Sequence, residues 1–457
     1  MTMPGTGTAE FDLDDQRAER APRPLRSVRS FRVGEVGCKV NQWEGQWLRE
    51  GLVALGLEES SEQELADLFV VNSCSVTGSG GSKSRHMIRR LVRQNPGARV
   101  IVTGCYAVSD EEVCRNLPGV VAVFGNEDKD AIVPWVAREI LGMDGPLPDL
   151  PRGISRFQGH TRAFVKIQDG CRDHCTFCII PSLRGAIRSR SQEDLLEELR
   201  RLVACGYKEV VFTGVHLGYF GWDLDEDDAL IRLLRAARTV DGLERVKLSS
   251  IEVHEITEEL VQLFAEDPFY LPHFHLPLQA GCDRTLRRMR RKYSTERFRS
   301  AVRRLRAAIP DPCITTDVIV GFPGETDEDF DASFAFCREM SFAKMHIFPY
   351  SVREGTPAAE YAGKVAPEAI KDRKGRLAAL DDVMADHYRR AHLDRVAPTL
   401  IEDRPGHSGS LTGLTDRFLR VDLDGPDALR GRIVPVRLEA VEGDRLRGRL
   451  ATGEAAS

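Results

Sequence analysis

From Phe31 onward, short β-rich apolar runs alternate with stretches whose apolar residues recur at helical spacing. FRVGEVG (31–37), DLFVVN (67–72), RVIVTG (99–104) and VVAVFG (120–125) are separated by amphipathic segments such as QWLREGLVALG. This pattern predicts a parallel α/β domain ending near residue 145. Residues 142–155 (GMDGPLPDLPRGIS) hold several Gly and Pro without periodicity and read as a linker. Six more strand-like runs follow, AFVKIQ, EVVFTG, RVKLSSI, HFHLPLQ, ITTDVIVG and AKMHIFPY, mostly with helical stretches between. They predict a partial (β/α)6 barrel. A helical stretch over roughly 367–395 is succeeded by short, turn-punctuated strands, the pattern of a small all-β barrel of about 60 residues. The expected division is a tail at 1–29, an α/β domain at 30–145, a barrel domain at 157–390 and a β domain at 391–457.

Composition narrows the class. The 457 residues are 42% hydrophobic and 29% charged, and no apolar run approaches the roughly 18–20 residues a membrane span requires. The first 29 residues mix Pro, Gly, acid and Arg without an apolar stretch. They read as a disordered tail lacking a secretion signal, so a cytoplasmic location is expected. In that reducing setting the eleven cysteines point to metal chemistry more than to disulfides. The net charge of −6 means that a nucleic-acid partner would have to be met by local basic patches.

Cys171-Arg-Asp-His-Cys175-Thr-Phe-Cys178 sets three thiols in eight residues directly after the first barrel strand, where strand-end loops build active sites. Three soft ligands on one tight loop suit an iron–sulfur cluster whose fourth iron is left open for a small molecule. The alternatives are a zinc loop completed by His174 or a distant residue, and simple buried thiols. Cys38, Cys74 and Cys105 each follow a predicted parallel strand of the first domain. The ends of such strands share one edge, so these three can hold a second cluster, although any one of them alone could be a core cysteine. Cys114, Cys205, Cys282, Cys313 and Cys337 are assigned to packing.

The CxxxCxxC loop, with Phe177 before its last cysteine, resembles the radical S-adenosylmethionine enzymes. With both cysteine sets in this order, residues 31 to about 452 resemble the methylthiotransferase family: an N-terminal cluster domain, a radical S-adenosylmethionine core and a C-terminal TRAM barrel. GCKVNQWE (37–44), NSCSVT (72–77) and CTFCIIPSLRGAIRSRS (175–191) look most like its MtaB branch, which acts on N6-threonylcarbamoyladenosine at position 37 of tRNA. Trp43 departs from the Tyr usual there, and PSLRG is closer to the branch that modifies an aspartate of a ribosomal protein.

The resemblance implies two [4Fe-4S] clusters, one on Cys171, Cys175 and Cys178 that generates a radical and one on Cys38, Cys74 and Cys105 that delivers sulfur. It implies S-adenosyl-L-methionine as methyl donor and radical source, with candidate contacts at Phe177, Gly214, Ser250, Glu252, Gln279, Asp317 and Gly321. No catalytic triad or paired carboxylate stands out. The expected partners are the tRNA anticodon loop at adenosine 37, an electron donor such as flavodoxin or ferredoxin, and a sulfur source, with no membrane. Residues 284–306 carry eleven Arg or Lys against one acid, and 83–93 carry five against none, local stripes of the kind phosphate binding needs. Arg287, Arg288, Arg290, Arg291 and Lys292 are the densest group, and Phe418 between Arg417 and Arg420 is a stacking candidate whose alternative is barrel core. The competing class is a zinc-bearing RNA-binding protein without catalysis.

Overall fold

The computed structural model describes residues 28–61, 64–75, 78–150, 152–403 and 409–451. Most of the expected tail lies outside these residues, although Val28 is already buried and the Arg29 N–H donates to Asp67.

β1 (Ser30–Glu35), β2 (Glu58–Glu59), β3 (Leu68–Ser73), β4 (Arg99–Gly104) and β5 (Val120–Val123) form one sheet in the order β2-β1-β3-β4-β5. Every pairing in it is parallel. β3 is buried along its whole length, because helices cover both faces; this explains why its sequence runs apolar without alternating. The helix Lys39–Ala54 packs on one face through Leu48 and Leu52, and the helix Gly78–Gln94 on the other through Ile88 and Leu91.

β6 (Ala163–Lys166) opens the second unit, followed by the short antiparallel pair β7 (Gln168–Asp169) and β8 (Arg188–Ser189). β9 (Glu209–Thr213), β10 (Arg245–Leu248), β11 (His273–His275), β12 (Cys313–Val320) and β13 (Lys344–Pro349) complete it. β6, β9 and β10 pair in parallel, as do β11, β12 and β13. Parallel bridges Val246–Tyr270 and Ser250–His275 join the two sheets into an open curved wall ordered β6-β9-β10-β11-β12-β13, the half barrel expected from the sequence.

The helix Pro367–Arg390 lies against β13, where Asp381 accepts a 2.6 Å bond from the Met345 N–H and pairs with Lys344. It ends short of residue 395; the turn after it includes Asp394 at φ +64°. β14 (Val396–Asp403), β15 (Leu411–Thr415), β16 (Arg420–Leu423), β17 (Ile433–Glu442) and β18 (Arg445–Leu450) close a barrel in the order β14-β15-β16-β18-β17, which fits a TRAM-like domain. Arg245, at the start of β10, donates to the Pro398 and Leu414 carbonyls at 3.1 Å each. The small barrel is thereby fastened to the amino-terminal end of the large one.

Two of the cysteines assigned to packing are not packed. Cys205 is exposed at a helix carboxyl end followed by the Gly206 turn, and Cys282 is half-buried at a helix start, where its thiol donates to Asp329 at 3.3 Å. Cys114, Cys313 and Cys337 are buried. Among the described residues no helix is long and apolar enough to cross a membrane.

Candidate functional site

β1, β3 and β4 are neighbours in the parallel sheet, so their carboxyl ends open onto one edge. Cys38 caps the helix after β1, Cys74 follows β3, and Cys105 begins the helix after β4. A glycine precedes two of them for a steric reason. Gly37 has φ +113°, and a Cβ there would stand 2.8 Å from Cys74 Sγ; Gly104 has φ +94°, and a Cβ there would stand 2.3 Å from the Ser73 carbonyl oxygen. Only glycine turns the chain from strand to thiol at these two points. Asn41 ties the edge together by donating to the Val36 and Ser73 carbonyls at 2.8 and 3.0 Å, and Asn126 donates to Cys105 Sγ at 3.7 Å.

The second trio sits on the loop after β7. Gly170 at φ +75° lets the loop pass so close to the Ala186 carbonyl that a Cβ would lie 1.9 Å from it. Thr176 anchors the loop, its N–H on the Met289 carbonyl at 3.1 Å and its hydroxyl on the Arg288 carbonyl at 2.9 Å. Burial pushes the Cys171 thiol up to about 12 and Cys178 up to about 11, and the three thiols repel one another as thiolates. Burial also raises Cys175, against the pull of Arg291, whose guanidinium donates to Cys175 Sγ at 3.2 Å. A soft metal that displaces these protons relieves that crowding, so the donor set suits a thiolate-bound cluster. Beside it, Asp173 pairs with Lys292 and bonds Tyr219, with His216 Nε2 at 3.2 Å. Burial would raise the Asp173 pKa, but His216, Lys292 and Tyr219 outweigh it and keep the carboxylate charged. His174, the zinc-loop alternative, is exposed.

Along the half-barrel wall lies a cavity of about 790 Å³, lined by Cys38 and Lys39 of the first unit, by Lys247, Ser250, Asp317 and His346 among others, and by Phe418 and Arg420 of the small barrel. His275 Nδ1 lies 3.0 Å from Thr315 Oγ1 and its Nε2 lies 3.3 Å from Asp317. Inward-facing alternate residues of β12 and β13, Thr315, Asp317, Lys344 and His346, supply this polar lining. Phe418 lies at the end nearest the small barrel, at φ +63°, its ring tilted 48° against His273 at 4.5 Å and under the Lys247 ammonium at 3.7 Å.

Of the expected cofactor contacts, Ser250 and Asp317 line this cavity together with Cys38. Glu252 is engaged by Arg291, which ties it to Cys175. Phe177 stands edge-on to Phe322 at 6.5 Å. Gln279 has φ +63° and bridges to Val318. A Cβ at Gly214 would stand 3.0 Å from the Gln168 side-chain oxygen, and one at Gly321 2.4 Å from Ile370, so protein atoms lie against both of these candidate contacts. The basic stripe is largely spent within the protein. Arg288 donates to the Pro323 carbonyl, Arg291 and Lys292 serve the cysteine loop, and Arg299 binds Glu296 and Glu339. Lys83, Arg89, Arg90 and Arg93 on the helix after Cys74 remain exposed. Phe418 sits at the interface between the two barrels, against the His273 ring and the Lys247 ammonium.

A buried ionic cluster, not anticipated from the sequence, fastens the two cysteine-bearing units together. Glu44 pairs with Lys129, with Lys166 at 2.7 Å and with Arg184 at 3.2 Å, while Asp169 takes Lys166 at 2.6 Å and Arg184 at 2.9 Å. Arg184 also donates to Asn41 at 2.6 Å. Burial opposes the Arg184 charge, but Glu44, Asp169, Cys105 and Cys38 together hold it firmly protonated. Trp43 joins this interface by donating to Glu198 at 2.8 Å, with Lys166 and Arg190 against its ring. The only sequence signal was the spacing of Asn41, Trp43 and Glu44 along one helix behind Cys38.

Residues 165–337 match the radical SAM superfamily model, and residues 30–125 match the model described as uncharacterized protein family UPF0004. A Bacillus subtilis protein named threonylcarbamoyladenosine tRNA methylthiotransferase MtaB is 36% identical over 88% of this chain and 92% of its own length. A Chlamydia pneumoniae protein of the same name is 36% identical over 92% and 98%. An Acidothermus cellulolyticus protein named tRNA-2-methylthio-N(6)-dimethylallyladenosine synthase is also 36% identical, over 91% and 86%. Among solved structures, the radical S-adenosylmethionine methyltransferase TsrM from Kitasatospora setae, with cobalamin and a [4Fe-4S] cluster bound, shares the fold. Its TM-score is 0.53 at 15% identity, over 73% of this chain and 77% of that one. A half barrel with a three-cysteine loop at its mouth defines the radical S-adenosylmethionine class. Within that class, the chain belongs to the tRNA methylthiotransferase family.

Proposed function

We propose that this chain converts N6-threonylcarbamoyladenosine at position 37 of tRNA to its 2-methylthio derivative, using S-adenosyl-L-methionine. The observation that carries the reading is the shared cavity, which opens on Cys38 of one thiol trio and on Ser250 and Asp317 of the half barrel that bears the other. Cys171, Cys175 and Cys178 would hold one [4Fe-4S] cluster, and Cys38, Cys74 and Cys105 a second. When bound, the loop cluster supplies the electron that cleaves S-adenosylmethionine, and the edge cluster supplies the sulfur. The protein's own part is to position each thiol set, the loop through Arg291 and Thr176 and the sheet edge through Asn41 and Arg184. The exposed cations of the helix Gly78–Gln94, which follows Cys74, would supply phosphate contacts to an anticodon loop. An adenosine in such a loop is already partly unstacked, so presenting its C2 edge costs less than flipping a base from a duplex. A flavodoxin- or ferredoxin-like reductant and a separate sulfur source complete the requirements of the reaction, carried out in the cytoplasm.

Transfer RNA from a strain lacking the gene, digested to nucleosides and analysed by mass spectrometry, should lack 2-methylthio-N6-threonylcarbamoyladenosine and accumulate its precursor. Unchanged methylthio nucleoside would refute the substrate. Loss of the dimethylallyl derivative instead would move the chain to the substrate of the Acidothermus relative. Anaerobically reconstituted protein should carry about eight irons per chain; a zinc-bearing binding module would carry none.

A further inference from the structure

The cavity beside Cys38 holds two lysines, neither of which forms an ion pair with a carboxylate among the described residues. Lys39 follows Cys38 directly, and Lys247 enters from β10. Lys247 is 2% exposed, and no carboxylate among the described residues forms an ion pair with it. Its one close partner is the Phe418 ring. Burial, together with the charges of Lys39 and Arg162, pushes it down to about 7. Of the nearby acids, Glu209 pairs with Arg245 at 2.7 Å and Glu402 with Arg162 at 3.1 Å, while Asp317, 3.3 Å from His275, favours the charge of Lys39 without pairing with it. A buried cation is offset by a paired acid or a bound anion, or else gives up its proton; with no paired acid at Lys247, an anion entering the cavity would restore its charge.

We propose that Lys39 and Lys247 receive the carboxylate of the amino-acid appendage on N6 of the target adenosine, and so select it over adenosines whose N6 substituent is apolar. This rests on the substrate reading above. In adenine, C2 and C6 flank N1, so a substituent on N6 leaves the base beside the edge that carries the reacting carbon. A base presenting C2 toward Cys38 brings that substituent into the cavity that Cys38 lines together with Lys39 and Lys247. Ser249 and Ser250 on the same wall offer hydroxyls to the remaining polar atoms of the appendage. A dimethylallyl group brings no anion and would leave both ammonium groups desolvated and unpaired, which a site built for a charged partner rejects strongly. Relatives named for either modification are equally similar overall, so discrimination has to reside in a few lining residues of this kind.

The test uses reconstituted full-length enzyme and anticodon stem-loop RNAs bearing, at position 37, threonylcarbamoyladenosine, its methyl ester or dimethylallyladenosine. Binding is measured directly and product by mass spectrometry. The wild type should bind the free acid about 10- to 100-fold more tightly than the ester, the range expected for hydrogen bonds to a charged group. Lys247→Met and Lys39→Gln should each erase most of that preference, and Lys247→Arg should retain part of it, with iron per chain as the check on folding. Equal binding of acid and ester by the wild type, with the acid still methylthiolated, overturns the lysine assignment and leaves the substrate reading standing. Reaction of the dimethylallyl loop alone overturns the substrate reading, and the lysine assignment with it. The comparison of acid with ester is made on the wild type, so it stands even where a variant fails to fold.

Discussion

Replacing Glu44 by Gln keeps the shape of the side chain and removes one of the two carboxylates that balance three buried cations. The Glu44 side chain is 2% exposed, and Lys129, 6% exposed, has no other carboxylate partner among the described residues. Lys166 and Arg184 would then share Asp169 alone. Breaking a buried pair by removing one partner costs about 3–5 kcal/mol, since the desolvated charge is left behind. For a domain of this size that corresponds to a fall in Tm on the order of 10 °C. Arg184→Gln is the instructive control. It leaves two carboxylates facing two lysines, a balanced set, so it should cost less than Glu44→Gln even though Arg184 is the larger and more deeply buried side chain. Thermal unfolding followed by circular dichroism on the two variants, prepared identically, decides the matter. An Arg184→Gln loss equal to or greater than the Glu44→Gln loss would refute the charge-balance argument. The pH dependence supplies a second check. Burial would raise the Glu44 pKa, but Arg184, Lys129 and Lys166 outweigh it and hold the carboxyl well below its ordinary 4.5. Its contribution is therefore complete above about pH 4.5 and is lost as pH falls through the depressed value. The gap between wild type and Glu44→Gln should stay level at neutral pH and close in acid.

Three further expectations test other parts of the site. Changing Cys171, Cys175 and Cys178 to Ala should leave about half the iron and abolish cleavage of S-adenosylmethionine, whereas changing Cys38, Cys74 and Cys105 should leave cleavage but end sulfur transfer; iron assay and product analysis read both, and retained cleavage in the loop variant contradicts the assignment. Gly104→Ala forces a Cβ to within 2.3 Å of the Ser73 carbonyl at φ +94°, so it should lower stability by at least about 1–2 kcal/mol and reduce iron at the edge site, measured by denaturant midpoint and iron content. Lys247→Met should stabilise the protein in the absence of RNA. Because burial lowers this lysine from 10.5 to about 7, the unfolded chain binds the extra proton between those values, so wild-type stability rises with pH across that window. The gain from Met should be full below about pH 7 and disappear near 10.5, and a gain independent of pH would show that the charge is not the cause.

Local chemistry made much of this protein readable from its chain. Apolar runs such as LFVVN and CITTDVIV, spaced by helical stretches, define parallel α/β units, because a strand buried on both faces cannot alternate and a crossover must be long. The CxxxCxxC spacing keeps Cys171, Cys175 and Cys178 on one eight-residue loop, and the strands before Cys38, Cys74 and Cys105 end on a common sheet edge. Tertiary structure decided what depends on surfaces far apart in sequence. Glu44 meets Lys129, Lys166 and Arg184 across 85, 122 and 140 positions, and nothing in a helix of mixed charge marks one acid as its keystone. Arg291 left a basic stripe to serve Cys175, Phe418 left its own barrel to pack against His273, and Lys247 lost its water to a neighbouring module. Charge and burial at such positions are properties of the assembled surfaces, because desolvation is set by whatever packs on top, and that is not written in the residues on either side.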